Sequence, residues 1–323
     1  MSDVEPDDSD GSGGSQVDDS SVDGSRVDDE VSAGVWCEVG SARAAIAAAI
    51  SRSVSQLDLE LPRARAGEDP EGVHQARVAT RRLRSDLRTF EPLLRGDRVA
   101  MMRAELKVLA DALGSVRDVD VLTMRFERGL DDAGIELAAA GPILAVLEDQ
   151  GRNARAALVD VLDQQRTARL ITTLHAAAED PPTTLSAIGS AEIRLLPLVR
   201  RPWRQLARAV ERLDDEPSMT ELHRVRLLAK RARYAAEAVQ PVFGRHARRF
   251  AIAVAGVQDV LGDMHDAQVA VEWLTRTAPD LDPASAFVAG DLAHHFRGVG
   301  ADHRHGWERS FARARKRSAW LRD

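Results

Sequence analysis

The sequence predicts an all-α fold of two pseudo-symmetric four-helix bundles produced by an internal duplication, and three observations carry that expectation. Aromatic residues make up only 4% of the chain, Ala, Leu, Val and Arg dominate, and Gly and Pro thin out beyond the first thirty residues, a composition suited to helices. No stretch alternates apolar and polar residues for long enough to make a useful strand. A twelve-residue pattern occurs twice, as Val73-His74-Gln75-Ala76-Arg77-Val78-Ala79-Thr80-Arg81-Arg82-Leu83-Arg84 and as Leu222-His223-Arg224-Val225-Arg226-Leu227-Leu228-Ala229-Lys230-Arg231-Ala232-Arg233. Pro92 and Pro241 each fall eighteen residues after their histidine. Leu113-Gly114-Ser115-Val116-Arg117-Asp118 then aligns with Leu261-Gly262-Asp263-Met264-His265-Asp266, offset by one residue.

Residues 1–32 are Asp, Ser and Gly with isolated Val, too polar to bury a core, and read as a disordered acidic tail. The first bundle is expected over residues 33–178. Its first helix starts at Ala42 with Ile46 and Ile50 on one face and runs towards Leu61-Pro62. The basic helix follows from about Pro70 to Phe90. A third passes through Met102, Leu106, Leu109 and Leu113, with Asp118 to Arg128 continuing it beyond a bend. A fourth runs from about Gly141 through Leu158, Val161 and Leu162 towards Leu174. Glu179-Asp180-Pro181-Pro182-Thr183-Thr184 is the clearest interior breaker and opens a linker over 179–190. The second bundle, 191–323, begins with Ile193 to Leu213, interrupted by Pro197 and Pro202. Ser218 or Thr220 caps the second basic helix, and helices from about Arg248 to Thr277 and from Pro283 onward complete the bundle.

Wound at 100° per residue, His74, Arg77, Arg81, Arg84 and Arg88 fall within roughly 80° of arc, with Ala76, Ala79, Leu83, Leu87, Phe90 and Leu94 opposite. His223, Arg226, Lys230 and Arg233 form the same stripe in the second copy. Arg82 and Arg231 sit outside both stripes and are assigned to a neighbouring helix or to solvent. Solvated helix faces ordinarily mix acids and bases at i, i+4. The Arg77 to Arg88 stripe contains no acid, so it repels itself until a counter-anion completes it. Arg117 and His265 occupy equivalent places before Asp118 and Asp266 and add one candidate cation from a third helix in each half. Arg155, Arg166, Arg200, Arg204 and Arg208 are candidate outer contacts, with surface charge as the reading for most of them.

The duplicated His-x-x-Arg-x-x-x-[Lys/Arg]-Arg-x-Arg helices resemble those of the CHAD domain, the conserved-histidine α-helical domain, from about Ser41 to the C-terminus. The resemblance implies two four-helix bundles with basic residues between them that bind inorganic polyphosphate. His74, Arg77, Arg81, Arg84, His223, Arg226, Lys230 and Arg233 are the positions that inherit this role. Arg88 extends the stripe, although the second copy places Glu237 there. A stripe at i, i+3, i+7 offers one cation per turn, about every 5 Å. Two facing stripes therefore match a chain of phosphates better than one. The resemblance also implies a location at polyphosphate granules.

Whole-chain charge is misleading. The formal net charge is −7, but residues 1–30 hold eleven acids and one arginine, so the remainder carries +3. Lysine appears only at 107, 230 and 316, leaving the positive charge almost entirely to Arg, whose planar fork grips phosphate oxygens. No apolar run reaches the twenty residues of a membrane span, the start of the chain lacks a signal peptide, and the single Cys37 fits a reducing compartment; a cytoplasmic protein is expected. The Glu-x-Glu-x-Lys motif of the triphosphate tunnel domains often joined to this family is absent, as is a phosphate-binding Gly-Lys-Ser/Thr loop, so binding without catalysis and without a cofactor is expected. His294-His295 and Asp302-His303-Arg304-His305 match no closed zinc pattern, and no metal is expected. A general polyanion binder, a nucleic-acid binder or a scaffold is the alternative reading. Tyr234 is the only aromatic beside the motif, which leaves little for base stacking. Imidazole protonation among phosphates implies tighter binding as pH falls from about 8 to about 6. The acidic tail reads as a solubilising segment, with internal competition for the basic stripe as the alternative.

Overall fold

The computed structural model describes residues 40–302 and 306–322; the acidic tail, Cys37 and His303-Arg304-His305 lie outside them. The described residues form helices joined by short turns, with only two isolated β-bridges. The α-helices in order are α1 (Ala42–Ala66), α2 (Pro70–Thr89), α3 (Gly96–Ala133), α4 (Gly141–Asp163), α5 (Gln165–Glu179), α6 (Ala191–Val210), α7 (Met219–Ala238), α8 (Gln240–Thr277), α9 (Pro283–Asp302) and α10 (Trp307–Arg317).

Capping chemistry fixes the starts of the two motif helices. Asp69 accepts from the Glu71 amide and Pro70 occupies the first turn of α2, while Ser218 and Glu221 form a reciprocal capping box on α7. Both helices are twenty residues long, and both place their histidine at the fifth residue. The interval of 149 residues between His74 and His223 recurs between the first residues of α1 and α6, Ala42 and Ala191. These two helix starts lie side by side: Ala42 N–H donates to Gly189 O at 3.1 Å and Ala191 N–H to Gly40 O at 2.9 Å.

Two apolar clusters hold the helices. The larger joins α1, α2, α5, α6, α7, α10 and the end of α4 around Leu158 to the first halves of α3 and α8, through residues such as Ile46, Leu83, Leu106, Leu195, Val225 and Phe250. The smaller joins the far ends of α3 and α8 to α4 and α9 through Leu122, Phe126, Leu147, Trp273, Leu292 and Phe296. This division explains why the apolar period of α3 breaks near Asp118 in the sequence. No bend is needed, because α3 is one 38-residue helix, about 57 Å long, that changes which core it faces.

Other boundaries also differ from expectation. The fourth helix divides at Gln164, whose extended backbone (φ −69°, ψ 139°) separates α4 from α5. Helix α8 carries a break at Gly244 (φ 52°, ψ −126°), a conformation that favours glycine, so regular helix resumes only at Arg245. Pro197 and Pro202 do not interrupt α6, which is anchored along one face by Leu195, Val199, Trp203 and Leu206. Pro62 likewise lies inside α1, which continues to Ala66. Residues 179–190 are docked against the first helices: Arg95 N–H donates to Pro182 O at 2.7 Å, Thr184 N–H to Leu93 O at 2.9 Å, and Arg43 pairs with both Asp180 and Thr183.

One core-side carboxyl carries a stability consequence. Asp86 on α2 is only 4% exposed, and burial pushes it up to about 7, against the opposing pull of Arg82 and Arg52, with Glu237 adding to the rise. A carboxyl with a raised folded-state value costs little below its unfolded value near 3.8 and progressively more as pH rises through 7. Asp86→Asn is therefore expected to raise the melting temperature more at pH 8 than at pH 5, and an equal shift at both, measured by thermal denaturation, would exclude this burden.

Candidate functional site

Helices α2 and α7 pack directly against one another, each with its apolar face turned to the larger core. On α2 the buried set includes Val73, Ala76, Ala79, Leu83 and Leu87; on α7 it includes Leu222, Val225, Ala229, Ala232 and Ala236. The predominance of alanine in the α7 set suits close packing. What remains on the inner flanks of both helices is cationic.

Lys230 reports how closely the two rows meet. Burial, followed by the fields of Arg81, Arg226, Arg77 and Arg84, pushes its ammonium down to about 8 from an ordinary 10.5. Three of those four arginines belong to α2 and one to α7, so the stripes share one environment. Tyr234 lies between the rows as well. The guanidinium carbon of Arg81 stands 5.9 Å from the ring centre and that of Arg233 stands 6.0 Å away, which places a cation from each helix at the same aromatic ring. Next to this group, Glu237 accepts from Arg233 Nε at 2.7 Å and from Arg82 Nη2 at 3.1 Å, tying α7 to α2. Arg82, assigned from the wheel to a neighbour or to solvent, thus bonds the neighbouring helix.

The third-helix positions join the histidines. Burial, then Arg117, hold His74 below its ordinary value; Glu71 opposes this, and Arg81 and Arg77 add to it. In the second half His223 and His265 stand ring to ring, with centroids 5.2 Å apart and planes at 56°. Burial, then Arg226, lower His265; Asp266 opposes, and His223 adds to the lowering. Arg117 therefore stands to His74 as His265 stands to His223.

The aligned glycines both lie beside an arginine of the motif, but only Gly114 leaves space that its arginine fills. A Cβ on Gly114 would come within 2.7 Å of Arg77 Nη1, and one on Gly262 would lie 3.9 Å from Arg226 Nε. Arg77 also donates from Nη2 to Asp118 at 3.3 Å, whereas Arg226 Nε is buried with no hydrogen-bond partner. Asp266, the counterpart of Asp118, receives Arg125 of α3 at 3.3 Å instead. Gly114, Gly262, Arg125 and Glu237 had not been singled out as site residues. The repeated Leu-Gly pair was the available signal for the glycines, and nothing in the sequence marks Arg125.

Arg88 does not join this group. Burial, then Arg231 and Arg103, lower its pKa against the pull of Glu91, which places it with Arg231 at the edge towards α6. Arg155 bonds the largely buried Asp120 at 2.9 Å and Arg166 bonds Glu105, so both are engaged in ion pairs. Among the described residues no group of three or more His, Cys, Asp or Glu is arranged to hold a metal ion, and no helix is long and apolar enough to cross a membrane.

A family model described as the CHAD domain matches residues 48–275. The uncharacterized protein Rv2226 of Mycobacterium tuberculosis (strain ATCC 25618 / H37Rv) is 33% identical over 239 residues, which cover 71% of this chain and 45% of that protein. The chain thus spans less than half the length of this curated relative. Among solved structures, PptA from Streptomyces chartreusis aligns with a TM-score of 0.71 at 22% identity, over 85% of this chain and all of the other. The CHAD domain from the plant Ricinus communis aligns with a TM-score of 0.70 at 24% identity, over 85% of this chain and 92% of the other. At these identities the two structures establish the shared fold.

The crowding around Lys230 has a measurable cost in the free protein. Its folded-state value lies below its unfolded value, so protonation burdens the fold most below about pH 8, and the burden disappears above about 10.5. Lys230→Met should raise the melting temperature at pH 7 and low salt by about 2 °C or more. An unchanged or lower melting temperature would show that the buried, arginine-flanked ammonium does not burden the fold.

Proposed function

The chain belongs to the CHAD domain family, and on that footing we propose that it binds inorganic polyphosphate in the cleft between α2 and α7, without catalysing its turnover. The observation that carries this reading is the meeting of the two rows: Arg81 of α2 and Arg233 of α7 stand 5.9 and 6.0 Å from the same Tyr234 ring, and Lys230 beside them is depressed by burial first and then by arginines of both helices. A linear anion threaded between the rows replaces that mutual repulsion with charge-assisted hydrogen bonds and releases counterions. Arg226 Nε supplies a buried donor with no acceptor of its own. Arg77, Arg81, Arg84, Arg226, Lys230 and Arg233 hold phosphate oxygens, and His74, His223, Arg117 and His265 close one side of the cleft.

In this reading the chain is a duplicated unit of two pseudo-symmetric bundles, α1 to α5 and α6 to α10. The 149-residue interval shared by the α1 and α6 starts and by the motif histidines supports it. One stripe comes from each unit, so the duplication itself assembles a two-sided site. Association with polyphosphate granules in the cytoplasm follows from the ligand. A nucleic-acid backbone is the second reading, because phosphodiesters offer the same anionic oxygens. The cleft holds one tyrosine, already flanked by two arginines, which leaves no platform for successive bases.

A competition titration between long-chain polyphosphate and nonspecific duplex DNA at physiological salt separates the two. Polyphosphate is expected to win by at least tenfold, about 1.4 kcal/mol, and parity would favour a general polyanion binder. Arg81→Glu combined with Lys230→Glu should abolish binding, whereas Arg82→Glu, which lies outside the stripe, should weaken it only slightly. Equal losses would contradict the assignment of faces.

Proton linkage gives an independent check. Bound phosphate draws Lys230 back towards its ordinary 10.5 from about 8, so binding at pH 8 takes up protons and affinity falls as pH rises beyond that point. His74 and His265, held below 6.5 in the free protein, are drawn upward in the same way, and affinity climbs further as pH drops through that region. Calorimetric titrations in buffers of different ionisation heat measure the uptake directly. Affinity that does not change between about pH 6 and 9 would remove both groups from the site.

A further inference from the structure

The side of α7 away from the cleft is also cationic. Arg224 and Arg231 stand roughly 140° round the helix from the cleft row. Across from them, Arg201, Arg204 and Arg208 fall within about 60° of arc on the outer face of α6, opposite the buried Leu195, Val199, Trp203 and Leu206. Three adjoining depressions of about 510, 650 and 490 Å³ run along this face. They share lining residues: Gln205 borders all three, Arg231 joins the first to the second, and Arg201 joins the second to the third. Together they form one trough.

Its charge is nearly unopposed. Arg201, Arg204, Arg208, Arg224 and Arg231 are all exposed and make no ion pair among the described residues. The two acids in the lining are engaged elsewhere, Glu221 with Ser218 of the α7 cap and Glu91 with Arg103. No aromatic ring lines any of the three depressions, so a base would find nothing to stack on. An anion recognised by its backbone charge alone fits this lining. Arg88 connects the trough to the cleft: it lies one turn beyond Arg84 on the α2 stripe, yet its neighbour is Arg231.

We propose that this α6–α7 trough is a second polyphosphate site, continuous with the cleft at Arg88, so that a long chain engages both while a short one occupies the cleft alone. The proposal rests on the polyphosphate reading of the cleft. Tethering by the first contact raises the effective concentration of phosphate at the second, which makes affinity depend on chain length.

The test compares tripolyphosphate with long-chain polyphosphate on the full chain. The variant Arg201→Glu/Arg204→Glu/Arg208→Glu changes only exposed side chains. A charge-matched control, Arg128→Glu/Arg276→Glu/Arg297→Glu, makes the same change on exposed positions of α3, α8 and α9. The trough variant should bind long chains at least tenfold more weakly and tripolyphosphate within about twofold of the wild type. Its salt dependence for long chains should be shallower by about two in the log–log slope, since each lost phosphate contact removes roughly 0.7 for a flexible strand. The control should change long-chain affinity less than threefold. Retained long-chain affinity in the trough variant, an equal loss in the control, or an equal loss for tripolyphosphate overturns the second site. A wild type that binds neither probe overturns the cleft reading, and this one with it. Should charge reversal lower the melting temperature, Gln at the same three positions is read by the same criteria.

Discussion

The crossing of α2 and α7 brings like charges together, and much of the surrounding structure serves to hold them there. Positive side chains on two separate helices would drift apart if the helices were free to do so. They are not free, because the opposite face of each helix is committed to the larger apolar cluster, where Leu83 and Val225 are essentially inaccessible to water. Hydrophobic burial over many residues far outweighs the repulsion among a few half-exposed cations. Where the two rows meet, local electrostatics is overruled by packing, and Lys230, depressed first by burial and then by arginines of both helices, is the sign of it.

Local counter-charges trim that repulsion without cancelling it. Asp118 takes one donor of Arg77, Glu237 takes donors of Arg82 and Arg233, and Asp266 takes Arg125. Arg81, Arg84, Arg226 and Lys230 have no carboxylate ion-pair partner among the described residues, and the three arginines all act on Lys230. Gly114 contributes by omission: a side chain there would press on the guanidinium of Arg77, whereas a Cβ at 262 would reach only ordinary contact distance from Arg226.

The sequence alone made the faces of α2 and α7 legible, because a helix assigns direction by angle and both copies gave the same arc. Position along the axis was less legible. Arg88 points to the same side as Arg84, but two crossing helices touch only near their crossing, and a residue one turn further out meets a different neighbour. Helix existence was readable from apolar period, while the break at Gln164 was not, since neither glycine nor proline marks it. Pro197 and Pro202 misled in the other direction: strong packing on one face of α6 keeps the helix continuous past both. The switch of α3 between two cores looked like a bend for a related reason. A shift in apolar phase records a change of partner as readily as a change of direction.

The two ends of the α2–α7 crossing are chemically unequal, and this gives the surface its polarity. At the 149-residue interval, Arg82 corresponds to Arg231 and Glu237 to Arg88. The contact between Arg82 and Glu237 therefore has a counterpart in the approach of Arg231 to Arg88. One is an ion pair that seals its end of the crossing. The other sets two guanidinium groups near each other, with burial and repulsion both acting on Arg88. Electrostatics closes the first end and leaves the second calling for an anion. The arginines of α6 lie beyond that second end, so the unneutralised charge of the cleft runs outward in one direction along the surface. An acid at 237 where the first copy of the motif has Arg88 is the difference that separates the two ends.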